Sequence, residues 1–119
     1  LARTVTTLYG IPNCDTVKRA RAWLDAKDVV YRFHDFKRHG LDAELAARFL
    51  AALGPEVLIN RNGTTWRKLD DAARAGAGTR EGALAMMLAQ PSVIKRPLLD
   101  IDGSFHVGFA DAAYRRLFA

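Results

Sequence analysis

The stretch Leu8-Tyr9-Gly10-Ile11-Pro12-Asn13-Cys14-Asp15-Thr16-Val17-Lys18-Arg19 restricts the possible folds of this chain more than any other. Thr4 to Tyr9 is rich in β-formers, and Gly10, Pro12 and Asn13 are residues that stop a strand. Beyond Cys14 the apolar residues Val17, Ala20 and Leu24 recur at helical spacing, with Trp23 flanking the stripe. The stretch therefore reads as strand, tight loop and helix start. It places the only cysteine where free backbone N–H groups and the helix dipole favour an anion. A thiol so placed is biased toward thiolate, and Lys18 and Arg19 add positive charge nearby. The alternative is a small buried cysteine filling a gap. The polar neighbours Asn13, Asp15 and Thr16 favour the reactive reading.

A chain of 119 residues suits a single domain with a real core, spanning 1–119. No apolar run approaches the ~20 residues of a membrane span, and Leu1-Ala2-Arg3-Thr4 has no leader-like pattern. A lone cysteine forms no internal disulfide, so the cytoplasm is the expected compartment. The formal charge of +5 comes from basic residues scattered along the chain. With no helix-turn-helix, zinc-finger or RNA-binding signature, that pattern favours small anionic partners over nucleic acid. His34, His39 and His106 are far apart in sequence without ligand spacing, so no metal site is expected.

Val29 to Phe36 alternates, Val29, Tyr31 and Phe33 against Val30, Arg32 and His34, and predicts a second strand. A βαβ unit follows, its two strands parallel. Lys37-Arg38-His39-Gly40 breaks the pattern. Helical periodicity then runs from Leu41 to Leu53 and stops at Gly54-Pro55. Thr64 or Thr65 is a candidate cap for a brief helix bearing Trp66 and Leu69. Residues 70–80 read as a helix fragment and a loop. Thr79 then caps a helix from Glu81 to Ala89 with Leu84, Met87 and Leu88 inward, ended by Pro91. Asp102-Gly103 between Leu98–Ile101 and Ser104–Val107 is a strong two-residue hairpin signal. A last helix covers Ala110 to Phe118 with Ala113 and Leu117 inward. The expected fold class is α/β, a mixed four-stranded sheet with a helical insertion at approximately 41–90 between the second and third strands.

The βαβ…ββα order with a cysteine opening the first helix resembles the thioredoxin-like plan. Two motifs narrow this, Tyr9-Gly10-Ile11-Pro12-Asn13-Cys14-Asp15-Thr16-Val17-Lys18 and Ile94-Lys95-Arg96-Pro97-Leu98. Both resemble the ArsC-like family of arsenate reductases and Spx regulators. Leu58-Ile59-Asn60-Arg61-Asn62-Gly63-Thr64-Thr65-Trp66-Arg67-Lys68-Leu69 is similar to its YffB-type subgroup. The resemblance implies that Cys14 is the nucleophile and Arg96 an anion-binding arginine. It matches Pro97 to a proline that is typically cis beside the active site. Arg61, or Asn60 if the match slips by one, falls where the family has another anion-binding arginine.

Two departures from the family shape the expected chemistry. Gly108 stands where the arsenate reductases have a third arginine, which removes a fork of donors from oxyanion binding. Val17 stands where Spx regulators complete Cys-x-x-Cys, so no internal disulfide can form. The expectation is a thiol-dependent reductase whose mixed adduct at Cys14 is resolved by an outside thiol, with glutathione as cosubstrate. Arg96 and Arg61 would contact its carboxylates, Lys18 would support the thiolate, and Asn13, Thr16 and Pro97 would complete the binding surface. Two alternatives remain at this stage. One is an arsenate reductase coupled to glutaredoxin; the other is a non-catalytic protein docking on transcription machinery.

Overall fold

The computed structural model describes residues 5–119, so the readings that fall on the first four residues, Thr4 included, lie outside the described residues. The chain divides into two compact units, Leu1–His39 with Arg96–Ala119, and Gly40–Lys95. The second includes the stretch, approximately 41–90, that the sequence reading gives as a helical insertion.

In the first unit β1 (Thr6–Gly10) leads through a short loop into α1 (Asp15–Ala26), and β2 (Arg32–Asp35) follows. Later in the chain β3 (Leu98–Ile101), β4 (Ser104–Val107) and α8 (Asp111–Leu117) complete this unit. The sheet order is β2-β1-β3-β4. β1 and β2 are parallel, with Leu8 opposite Phe33 and Gly10 opposite Asp35. β3 is antiparallel to β1, with Leu8 opposite Leu99 and Tyr9 opposite Leu98. This is the mixed four-stranded α/β sheet that the element order implies. The hairpin forms at Asp102-Gly103 with φ of 51° and 89°, the left-handed pair that a two-residue turn demands.

Because side chains alternate along a strand, Leu8, Phe33, Leu99 and Ile101 share one face. Against it pack Ala20 and Leu24 of α1 and Tyr114 of α8. Trp23 meets Tyr114 edge-on at 5.4 Å, and its indole N–H donates to Asp111 Oδ1 at 2.6 Å. It is a packing anchor, as aromatic residues with a polar handle often are. The predicted second strand is trimmed at both ends. Val29 and Tyr31 still pack on the core and Val30 is 90 % exposed, so the alternation is real, but ladder pairing begins only at Arg32. Phe36 leaves the sheet to open α2 (Phe36–His39).

The second unit contains α3 (Ala43–Leu53), α4 (Pro55–Leu58), α5 (Thr64–Arg67), α6 (Asp71–Gly76), α7 (Arg80–Ala89) and a 3-10 turn at Pro91–Val93. Asp42 caps α3 by accepting from Leu45 N–H at 2.8 Å, and Thr79 caps α7 through Gly82 N–H at 3.0 Å. Neither Thr64 nor Thr65 caps α5: Gly63 is the N-cap and supplies no side-chain bond. The inward face of α7 also differs from expectation. Ala83, Met86 and Met87 are buried while Leu88 is exposed. The reason lies at Gly82, where a Cβ would sit 1.9 Å from the Gly76 carbonyl oxygen. α6 and α7 touch backbone to backbone there, and that contact sets the rotation of α7.

Tyr114 carries a measurable consequence. It is 1 % exposed, its hydroxyl reaches only a long contact of 3.5 Å to the Gly108 carbonyl, and burial pushes its ionisation up from the ordinary 10.0. The folded chain keeps this phenol protonated where the unfolded chain would ionise it. The unfolded state therefore binds fewer protons, and stability falls as pH rises above about 10, by roughly 1.4 kcal/mol per pH unit. Tyr114→Phe should remove this share of the alkaline slope. Urea unfolding of both proteins between about pH 9 and about pH 12 checks it, and parallel curves would contradict it.

Candidate active site

The site begins with a close approach. A Cβ on Gly10 would lie 2.8 Å from Cγ2 of Val17, so only glycine lets the end of β1 pass against the first turn of α1. Val17 is fully buried beneath that crossing. Cys14 lies between these two contacts as the N-cap of α1, in an extended conformation with φ −139° and ψ 123°. Its carbonyl accepts the first helical bond, from Lys18 N–H at 2.9 Å, while its side chain makes no cap bond. The thiol is half-buried. Asp15 occupies the first helical position.

The register then gathers other groups at the same edge of the sheet. Leu98 pairs with Tyr9, so Arg96 and Pro97 precede β3 at the edge where β1 ends. The Arg96–Pro97 bond is cis, as the family resemblance implies for this proline. Pro97 is buried, and its carbonyl accepts from Gly108 N–H at 2.8 Å. Arg96 is half-buried with its Nε shielded from solvent. Gly108 has φ +82°, although a Cβ there would meet nothing within 4 Å. An arginine at this position would have room but an unfavourable left-handed backbone.

The remaining candidates separate. Lys18 and Asn13 are exposed and Thr16 is half-buried. Among the described residues neither Asn13 nor Thr16 hydrogen-bonds the sulfur, since no such bond to Cys14 is formed. Arg61 belongs to the other unit, where it is exposed and lies 5.3 Å over the Trp66 ring. Asn60 there is committed to its own turn, its side chain accepting Asn62 N–H at 3.1 Å and its N–H bonding the Val93 carbonyl at 2.7 Å. The rings of His34 and His39 approach to 5.3 Å.

The ArsC family profile matches residues 9–117. The chain belongs to the ArsC family. Among solved structures of similar proteins, the YFFB protein is 48 % identical with a TM-score of 0.91, over 97 % of this chain and 100 % of its own. The solution structure of an arsenate reductase (ArsC) related protein from Brucella melitensis is 49 % identical with a TM-score of 0.78, over 96 % of this chain and 94 % of its own. The global transcriptional regulator Spx of Streptococcus mutans is 25 % identical over 114 residues, 93 % of this chain and 81 % of that protein.

For this ArsC-family chain, sequence reasoning missed two contributors to the edge. Gly10 was read as a strand terminator, although its role is to admit Val17. Asp35, 4 % exposed, ends β2 with its carboxylate accepting Lys37 N–H at 2.9 Å; an aspartate two residues before the accepted N–H at a strand end is the signal that was available. Gly10→Ala should force β1 and α1 apart, because the β-branched Val17 cannot swing away. We expect a loss of about 1–3 kcal/mol together with altered alkylation of Cys14. Urea unfolding and iodoacetamide kinetics check this, and unchanged stability with an unchanged rate would show that the crossing is not what positions the thiol.

Proposed function

We propose that this protein is a thiol-dependent reductase that uses glutathione as cosubstrate through a single nucleophile, Cys14. The observation carrying the reading is the placement of a half-buried, uncapped thiol at the N-terminus of α1, on the sheet edge that also holds Arg96 and cis Pro97. In the proposed cycle the Cys14 thiolate attacks the glutathione sulfur of a mixed disulfide. That S–S bond breaks, a Cys14–glutathione disulfide forms, and the substrate leaves as a thiolate that takes a proton from water. A second glutathione thiolate then attacks the bound glutathione sulfur, releasing Cys14 thiolate and oxidised glutathione. Two electrons pass from glutathione to substrate. With one cysteine in the chain, no internal disulfide competes with the second step.

Arg96 is the proposed contact for the glutathione carboxylate, with Lys18 as the cation nearest the thiol along α1. Asn13, Thr16 and Pro97 form the surrounding surface. Arg61 has support from the family resemblance alone. Two features favour other readings. Relatedness to arsenate reductase related proteins favours arsenate as substrate, with glutaredoxin as resolving partner; glycine at position 108 weighs against strong arsenate binding. Similarity to Spx favours docking on transcription machinery without catalysis.

Oxidised glutathione should convert the protein to a one-to-one adduct at Cys14 that persists until external thiol is added. Arg96→Ala should slow adduct formation by about tenfold, the loss of one charge-assisted contact of roughly 1.5 kcal/mol. Intact mass spectrometry over time follows both. A folded protein left unmodified by excess oxidised glutathione would favour the docking reading. Rapid arsenate turnover by the unaltered chain would favour the arsenate reductase reading.

A further inference from the structure

The edge that carries Cys14 has a second wall. β1 and β2 run parallel and leave the sheet together, Gly10 opposite Asp35. With the order β2-β1-β3-β4, the loop bearing Cys14 emerges between β3, preceded by Arg96 and Pro97, and β2, followed by Phe36-Lys37-Arg38-His39. Sequence reading gives this last segment no role beyond ending a strand. In the structure it is a fixed turn. The buried Asp35 carboxylate accepts Lys37 N–H at 2.9 Å, and Asp35 N–H donates to His39 Nδ1 at 3.1 Å. Phe36 is buried and stacks on Tyr9 with ring centroids 6.1 Å apart.

The turn holds out two cations. Lys37 and Arg38 are exposed, and among the described residues neither forms a salt bridge; the two pairs present, Arg74–Asp71 and Arg115–Asp111, lie elsewhere. Asp35 forms no salt bridge with either; its carboxylate is turned onto the Lys37 backbone N–H. Asp15, in the first turn of α1 beside Cys14, carries an exposed carboxylate. A strand spacing of about 4.8 Å separates Gly10 from Asp35. The turn bearing the two cations and the loop bearing Cys14 thus leave the sheet at the same end, from adjacent strands.

We infer that Lys37 and Arg38 form a carboxylate-binding subsite on the β2 side of Cys14, opposite Arg96, that selects disulfides carrying a glutathione moiety. This rests on the glutathione reading above. Glutathione has a carboxylate at each end, and two cationic walls flanking the thiol would hold one each. Asp35 and His39 are positioning residues, acting through the turn they fix.

The test compares rates of adduct formation at Cys14 by intact mass spectrometry, in physiological salt, with oxidised glutathione and with neutral bis(2-hydroxyethyl) disulfide. The proteins are wild type, Lys37→Ala/Arg38→Ala, and a charge-matched control, Lys27→Ala/Arg116→Ala. Lys27 lies about 20 Å from Cys14 along α1 by helical rise, beyond the Debye length. The subsite predicts that the first double variant reacts about five- to twentyfold more slowly with oxidised glutathione, the effect of one or two exposed charge contacts. Its rate with the neutral disulfide and both rates of the control should stay within about twofold of wild type. Equal slowing with the neutral disulfide would mean that the pair acts on the thiol itself. Equal slowing in the control would mean long-range steering. Either result, or an unchanged rate with oxidised glutathione, overturns the subsite while leaving the thiol chemistry standing. A wild type inert to both disulfides removes the glutathione reading and the subsite together.

Discussion

The crossing of β1 over α1 at Gly10 and Val17 is the contact on which the candidate site depends. A strand running into a helix within four residues can place a side chain at the helix N-terminus only if the backbone folds back tightly. That requires a residue without a Cβ where Val17 is buried. Once the crossing is made, Cys14 is the N-cap and its side chain has no cap bond to make. The sheet register does the rest. Parallel pairing with β2 and antiparallel pairing with β3 bring Asp35 and Pro97 to the same edge, although these residues are far apart in the chain.

Much of this was legible in the sequence because the relevant signals are local. Val17, Ala20 and Leu24 mark the buried face of α1, and all three are fully buried. Asp102-Gly103 specifies its turn, since few residue pairs adopt two consecutive positive φ values. The family motif around Arg96-Pro97 pointed to a cis bond that no periodicity argument could supply. What was not legible depends on contacts between segments. The face of α7 follows from Gly82 meeting Gly76, and a run of Ala, Leu and Met gives little sign of which side turns inward. The shortening of β2 follows from where its ladder with β1 begins. The placement of Lys37 and Arg38 beside the end of β1 follows from strand order, and in the sequence these residues only interrupt a pattern.

No helix among the described residues is long and apolar enough to cross a membrane, and the positive charge that invites a nucleic-acid reading includes cations at the sheet edge bearing the thiol. In the proposed site, Arg96 on one side and Lys37 with Arg38 on the other would give that charge a local use. A flat basic face would attract polyanions in general, whereas cations bracketing a nucleophile suit a short acidic thiol peptide. Glycine at position 108 fits this better than it fits arsenate. A small oxyanion needs several converging donors, while an extended peptide needs separated ones.

The central claim is that the Cys14 edge of the first unit is a glutathione site. The most direct measurement is a titration of the isotope-labelled full chain with reduced glutathione, followed by amide NMR shifts. The account predicts saturable shifts concentrated at residues 10–18, at the turn from Asp35 to His39, and around Arg96. Absence of saturable shifts in those three segments, or shifts confined to residues 45–90, would contradict it.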